Sequence, residues 1–157
     1  MNPIPSELLS VLIESTQEVF ATMVFQPLDT KTPIEGAPRP PSNVVGTVSF
    51  TGDRCGIVVF YSTTETAGKI TGAMLGIDPT EVNGEVPDAI GEITNMIAGT
   101  FRTRMAANGS RWAISVPTVT IGSDFSTTYV RDVRRVLCPF AMSGGDQVFV
   151  ELILTQQ

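Results

Sequence analysis

The stretch Asp88-Ala89-Ile90-Gly91-Glu92-Ile93-Thr94-Asn95-Met96-Ile97-Ala98-Gly99 carries the 3.6-residue period of an amphipathic helix. Residues three and four apart are neighbours on a helix. Asp88, Glu92, Asn95, Gly99 and Arg102 therefore fall on one side, and Ala89, Ile90, Ile93, Met96, Ile97 and Phe101 on the other. The apolar stripe is predicted to dock on a sheet. The polar side sets a carboxylate, a carboxamide and a bare glycine in one row. Asn is a mediocre helix former, and a mid-helix Gly costs about 1 kcal/mol relative to Ala. Two unfavourable choices on one face point to a use for it; an ordinary solvated face is the alternative.

Working outward, this helix is expected to start between Gly84 and Pro87 and to end at Asn108-Gly109. A first helix is predicted over residues 6–25, from the spacing of Leu8, Leu9, Leu12, Ile13, Val19, Phe20 and Met23, with Ser6 as its cap and Pro27 beyond its end. Five of the eleven prolines lie in residues 26–43, which reads as an extended surface loop. Val44–Phe50 and Cys55–Tyr61 are β-branched, apolar runs around the turn residues Thr51–Arg54, hence a hairpin. Ser62-Thr63-Thr64-Glu65 matches a capping box and opens a short helix, Thr64–Leu75, closed by Gly76. Later strands are predicted at Ala113–Val119, interrupted by Pro117, at Thr127–Phe140 and at Gln147–Leu154, with a turn at Ser143–Asp146. This order implies a single α+β domain over residues 1–157, with two long helices and one short helix packed on a largely antiparallel sheet.

At 157 residues the chain can bury a core covering roughly 70% of its unfolded surface. Its net charge of −6, without a basic stripe, argues against nucleic acid as a partner. The longest hydrophobic run, Ile57–Tyr61, is too short to span a bilayer, and no basic-then-apolar export signal opens the sequence, so a cytoplasmic protein is expected. There is no histidine, which removes Ser-His-Asp and Cys-His nucleophile pairs and His-ligated metals. Phosphate-cradling and dinucleotide-binding glycine motifs are missing too. Cys55 and Cys138 have no metal or redox spacing and read as buried thiols.

The chemistry open to the Glu92–Asn95 row is positional. A carboxamide is no acid, base or nucleophile near neutral pH, but it offers a donor and an acceptor on one rigid plane. Such a group can aim a water at phosphorus, where positioning dominates catalysis. Glu92 can pair with a cation on a partner, and Gly99 lets that partner come close.

The segment Asp88–Gly99 followed by Pro117 closely resembles the chemotaxis phosphatase family of CheC, CheX and FliY, whose signature is Asp or Ser, three residues, Glu, two residues, Asn, and a later proline. The resemblance extends over Phe20–Met23, Gly56–Val59 and Glu65–Gly76, and the single copy and length are most like CheX. It implies a CheC-like fold and hydrolysis of the aspartyl phosphate of a CheY-type response regulator. On that basis Asn95 orients the water and Glu92 pairs with a regulator lysine. Asp88, Gly99 and Arg102 support the row, and Pro117 shapes the strand behind it. The chain needs no cofactor of its own, because the Mg2+ belongs to the regulator. It also implies homodimers through sheet edges after residue 113.

The Asn95-to-Pro117 gap is one residue shorter than the family's, a loop difference placed near Ser110. Ser10, Glu14, Gln17 and Ala21 echo the spacing of Asp88, Glu92, Asn95 and Gly99. Yet Gln17 stands where two-site members carry Asn, and its extra methylene displaces the amide by about 1.5 Å, while a shift of about 1 Å can cost 10²-fold. One working site per chain is expected. The competing reading is a catalytically idle adaptor of the chemotaxis or flagellar-switch system, docking through the same face. Arg131, Arg134 and Arg135 read as a strand face or salt bridges, and Trp112 as a packing anchor.

Overall fold

The computed structural model describes residues 3–107, 109, 111–130 and 132–155. Helix α1 (Ser6–Val19) continues into a π-helical turn (Phe20–Val24), followed by β1 (Leu28–Thr30), β2 (Ile34–Glu35), β3 (Val44–Gly52), β4 (Gly56–Ser62) and α2 (Thr64–Leu75). A 3-10 turn (Pro79–Glu81) leads to α3 (Val86–Ala107), then β5 (Trp112–Ile114), β6 (Thr118–Ile121), β7 (Val133–Met142) and β8 (Gln147–Thr155). The eight strands form one sheet ordered β1-β7-β8-β4-β3-β5, with β2 also on β7 and β6 also on β3. Every pairing is antiparallel.

Strand residues alternate between two faces, and here both faces are buried at the sheet's centre. Val58, Phe60, Val148, Val150, Leu152 and Leu154 meet Leu12, Phe20, Ile70, Ile90, Ile93, Ile97 and Phe101, so all three helices share one face. Val45, Val59, Tyr61, Leu137 and Ile153 face the other way, against Ala37, Phe125, Tyr129 and Phe149. Helix α3 lies so close to β3 that a Cβ at Gly46 would overlap Thr94 Oγ1. Phe50, Phe101 and Trp112 lock its far end, with ring centroids 4.9–5.9 Å apart, which makes Trp112 a packing anchor.

Several boundaries differ from the sequence expectation. Pro5, not Ser6, is the residue before α1, and no side chain caps that end. Ser62 does not cap α2, because it is still paired with Val44 in the sheet and its hydroxyl donates to the Val44 carbonyl at 2.9 Å. Thr63 takes the role, its hydroxyl accepting the Thr66 N–H at 3.2 Å. Gly76, left-handed at φ 71°, closes the helix as expected.

The stretch 26–43 is not wholly loop: β1 and β2 add to the outer edge of β7, between its prolines. Residues 127–130 and 132 are not strand. The β7 ladder opens at Val133↔Thr155, while Phe125 and Tyr129 instead fold over the sheet. Of the expected Asn108-Gly109 stop, Gly109 is left-handed at φ 84° just past the end of α3; Asn108, the loop difference at Ser110 and Arg131 lie outside the described residues. Among the described residues no helix is long and apolar enough to cross a membrane.

Candidate functional site

The outward side of α3 holds the row expected from its periodicity. Ala89, Ile90, Ile93, Ile97 and Phe101 are buried beneath it, and Met96 is half-buried against the core. Asp88, Glu92 and Arg102 are exposed; Asn95 and Gly99 are half-buried. No hydrogen bond or ion pair ties the side chains of Asp88, Glu92, Asn95 or Arg102 to other described residues. An Asn that capped or bridged secondary structure would have spent its carboxamide; this one has both its donor and its acceptor to offer.

Asn95 forms one wall of an open groove of about 570 Å³, with Glu18, Met96, Gly99, Arg102 and Ile114 around it. Gly99 has no internal packing role, since a Cβ built on it would meet nothing within 4 Å. Pro117 lies in the link between β5 and β6. Its ring carbon is 3.8 Å from where a Cβ on Gly91 would sit, so it braces α3 from behind, one residue before Glu92.

The echo of this row on α1 is occupied. Gln17 donates from Nε2 to the Leu28 carbonyl at 3.2 Å. Glu14 and Glu18 hold Arg104 of α3 at 2.9 Å and 2.8 Å. That clamp joins the two helices and was invisible in the sequence, where its members are far apart. Arg134 donates to the Pro3 carbonyl, and Arg135 to Glu151 and the Ala37 carbonyl, so neither joins the α3 row.

Cys55 and Cys138 are free thiols; Cys138 is buried as expected, whereas Cys55, just before β4, is only half-buried. Burial, with help from the Glu151 charge, pushes Cys138 up to about 12, which leaves it an inert core thiol. Among the described residues no group of three His, Cys, Asp or Glu side chains is placed to hold a metal.

Because a Cβ at Gly99 would meet nothing within 4 Å, Gly99→Leu is expected to leave folding intact. Its thermal midpoint should stay level or rise, since Leu favours helix over Gly by up to about 0.8 kcal/mol. The same substitution should weaken any partner that docks over Asn95 by about tenfold or more. Unchanged docking would show that the partner does not use this end of the groove.

Comparison with known proteins places these features in context. Residues 44–141 match the family model described as chemotaxis phosphatase CheX. The CheY-P phosphatase CheX of Thermotoga maritima is 32% identical over 85 residues, which is 54% of this chain and 55% of that protein, so the match spans about half the relative's length. A CheC-like superfamily protein from Shewanella superimposes with a TM-score of 0.86 at 21% identity, over 98% of this chain and all of that one. CheX from Borrelia burgdorferi, solved as a CheX-CheY-BeF3-Mg2+ complex, gives a TM-score of 0.80 at 18% identity, covering 95% of this chain and 98% of that one.

Proposed function

We propose, from the premise that this chain belongs to the chemotaxis phosphatase CheX family, that it dephosphorylates a CheY-type response regulator. The observation that carries the reading is the Asn95 carboxamide, half-exposed on a rigid helix and tied to no other described side chain or backbone group. The Thermotoga relative is named a CheY-P phosphatase, and the Borrelia relative is known bound to CheY with BeF3 and Mg2+.

In the proposed reaction, Asn95 holds a water in line with the aspartyl phosphate of the docked regulator. The water oxygen forms a bond to phosphorus as the acyl P–O bond breaks. The aspartate leaves as a carboxylate, and inorganic phosphate carries away the water's oxygen. Little covalent work falls to the protein, so alignment supplies most of the acceleration. The Mg2+ is the regulator's own; this chain contributes no metal.

Glu92, one turn before Asn95, docks against a lysine of the regulator. Asp88 and Arg102 extend the charged row at its two ends, and Gly99 gives clearance. Two copies pair through the outer edge of β6, whose neighbourhood leaves Val116 82% and Ile121 55% exposed. The protein works where its regulator does, in the cytoplasm.

The direct test adds this protein to a phosphorylated CheY-type regulator with Mg2+ and follows phosphate release. Acceleration is expected. Failure to accelerate, with binding intact, would favour an adaptor that docks the regulator without hydrolysing it. Glu92→Ala is expected to raise the regulator concentration giving half-maximal rate by about tenfold, the equivalent of about 1.4 kcal/mol, with the saturated rate held within about twofold. A saturated rate that collapses instead would move Glu92 from docking into the reaction itself.

A further inference from the structure

The sheet face opposite α3 holds a second polar cluster that the phosphatase reading leaves unused. Glu151, only 2% exposed in the middle of β8, accepts from the Tyr61 hydroxyl at 2.6 Å and from Arg135 Nη1 at 3.0 Å. Its charge is thereby balanced by one arginine. Burial and the Glu151 charge push the Tyr61 phenol up, which keeps it a donor.

A second arginine opens on the same cavity without such a balance. Arg39 donates to the Phe125 carbonyl at 2.6 Å and the Ser42 carbonyl at 3.0 Å, and its guanidinium lies 3.7 Å from the Phe125 ring centroid. Among the described residues it has no carboxylate partner, and its buried Nε–H has no acceptor. A cation fixed in place by two neutral carbonyls and a ring, with a second N–H on each of Nη1 and Nη2 beyond those bonds, is an arrangement that calls for an anion or water.

The cavity measures about 520 Å³, within the range of small-molecule sites. Arg39, Arg135, Tyr129, Ser126 and Thr127 line it. Two arginines stand against one carboxylate there, in a chain whose net charge is −6. Asp124, exposed on the neighbouring segment, is not one of its walls. A smaller apolar cleft of about 230 Å³ over Val45, Ile57 and Val59 shares Tyr61, Thr127 and Tyr129 with it, so the two adjoin at these side chains.

We propose that this combined cavity binds a small organic anion, its carboxylate or phosphate head at Arg39 and its apolar body against Val45, Ile57 and Val59. Arg39 supplies the charge-assisted hydrogen bonds, and the hydroxyls of Ser126 and Thr127 complete the head site. The apolar cleft distinguishes such a ligand from free phosphate. The proposal is independent of Asn95, which sits on the other side of the sheet.

The test titrates the full chain with octanoate, octan-1-ol and inorganic phosphate, read by amide chemical shifts. Octanoate is expected to give saturable shifts in residues 37–42 and 123–129 at millimolar concentration or below. Octanol should bind at least about tenfold more weakly, the loss expected when a charged head is removed. Arg39→Gln should cost octanoate about tenfold or more with the phosphate-release rate unchanged. Should Arg39→Gln fail to fold, Arg39→Lys keeps the charge without the guanidinium fork and is expected to fall between the two. Equal binding of octanoate and octanol, indifference to both Arg39 variants, or no saturable shift with either anion overturns the proposal. So does sealing of the cavity by a second copy in solution.

Discussion

Asn95→Ala is expected to lower regulator dephosphorylation by about 10²-fold or more at saturating regulator, leaving the affinity for the phosphorylated regulator nearly unchanged. The reasoning is geometric. The side chain has no structural bond to lose among the described residues, so the substitution removes only what the carboxamide does to a visitor. Positioning of a reacting group is worth about 10²-fold for a displacement of about 1 Å.

The companion Asn95→Gln sharpens the point. It keeps both halves of the amide and moves them outward by about one carbon–carbon bond, so a loss close to that of alanine is expected. If glutamine restored most of the rate, the site would need only an amide nearby, and the alignment argument would be wrong. Stopped-flow or radiolabelled phosphate release measures the rate, and fluorescence anisotropy of the regulator measures the affinity. Should affinity fall as far as the rate, Asn95 is a docking residue and not the water's guide.

The second large effect concerns the frame and not the chemistry. Gly46→Ala is expected to destabilise the protein by about 2–3 kcal/mol, the upper part of the range for overfilling a packed interior. In a chain of this size that is a fall of roughly 5–10 °C in thermal midpoint. A methyl at Gly46 would overlap Thr94 Oγ1 and come within 3.0 Å of its Cβ and 3.3 Å of its Cγ2. Rotating Thr94 gives only partial relief, since its Cβ stays at 3.0 Å, and it forfeits the 2.7 Å hydrogen bond to the Ile90 carbonyl.

Helix α3 must therefore shift off β3, carrying Glu92 and Asn95 with it. The partner change Thr94→Ala is expected to recover much of the loss in the double variant, a coupling that a thermal or urea melt series can read as a double-mutant cycle. Additive losses would show that Gly46 matters for a reason other than this contact.

The α3 row was legible because helix periodicity is local: Asp88, Glu92, Asn95 and Gly99 meet on one face whatever the rest of the chain does. The β3–β4 hairpin, the αL stop at Gly76 and the turn before β8 were legible for the same reason. Caps were harder. Whether Ser62 or Thr63 caps α2 depends on how far β4 stays paired with β3, and that is a matter of partner strands. The 26–43 stretch shows the same limit. Its prolines argue correctly against a central strand, but the edge positions of β1 and β2 exist only because β7 offers them a ladder.

What the sequence determined by itself was the amphipathic α3 with its carboxamide outward, the class of the fold, and the exclusion of histidine-dependent chemistry. Each follows from residue identity or from spacing within a few turns. Only the tertiary structure decided the Arg104 clamp on Glu14 and Glu18, the Gly46–Thr94 contact, and the meeting of Arg39, Tyr61, Arg135 and Glu151 behind the sheet. These groups are brought together by helix packing, strand order and register; apart from Arg135–Glu151, 16 residues apart across the β7–β8 hairpin, their interactions span 48 to 98 residues of chain, and no local pattern encodes a contact that distant.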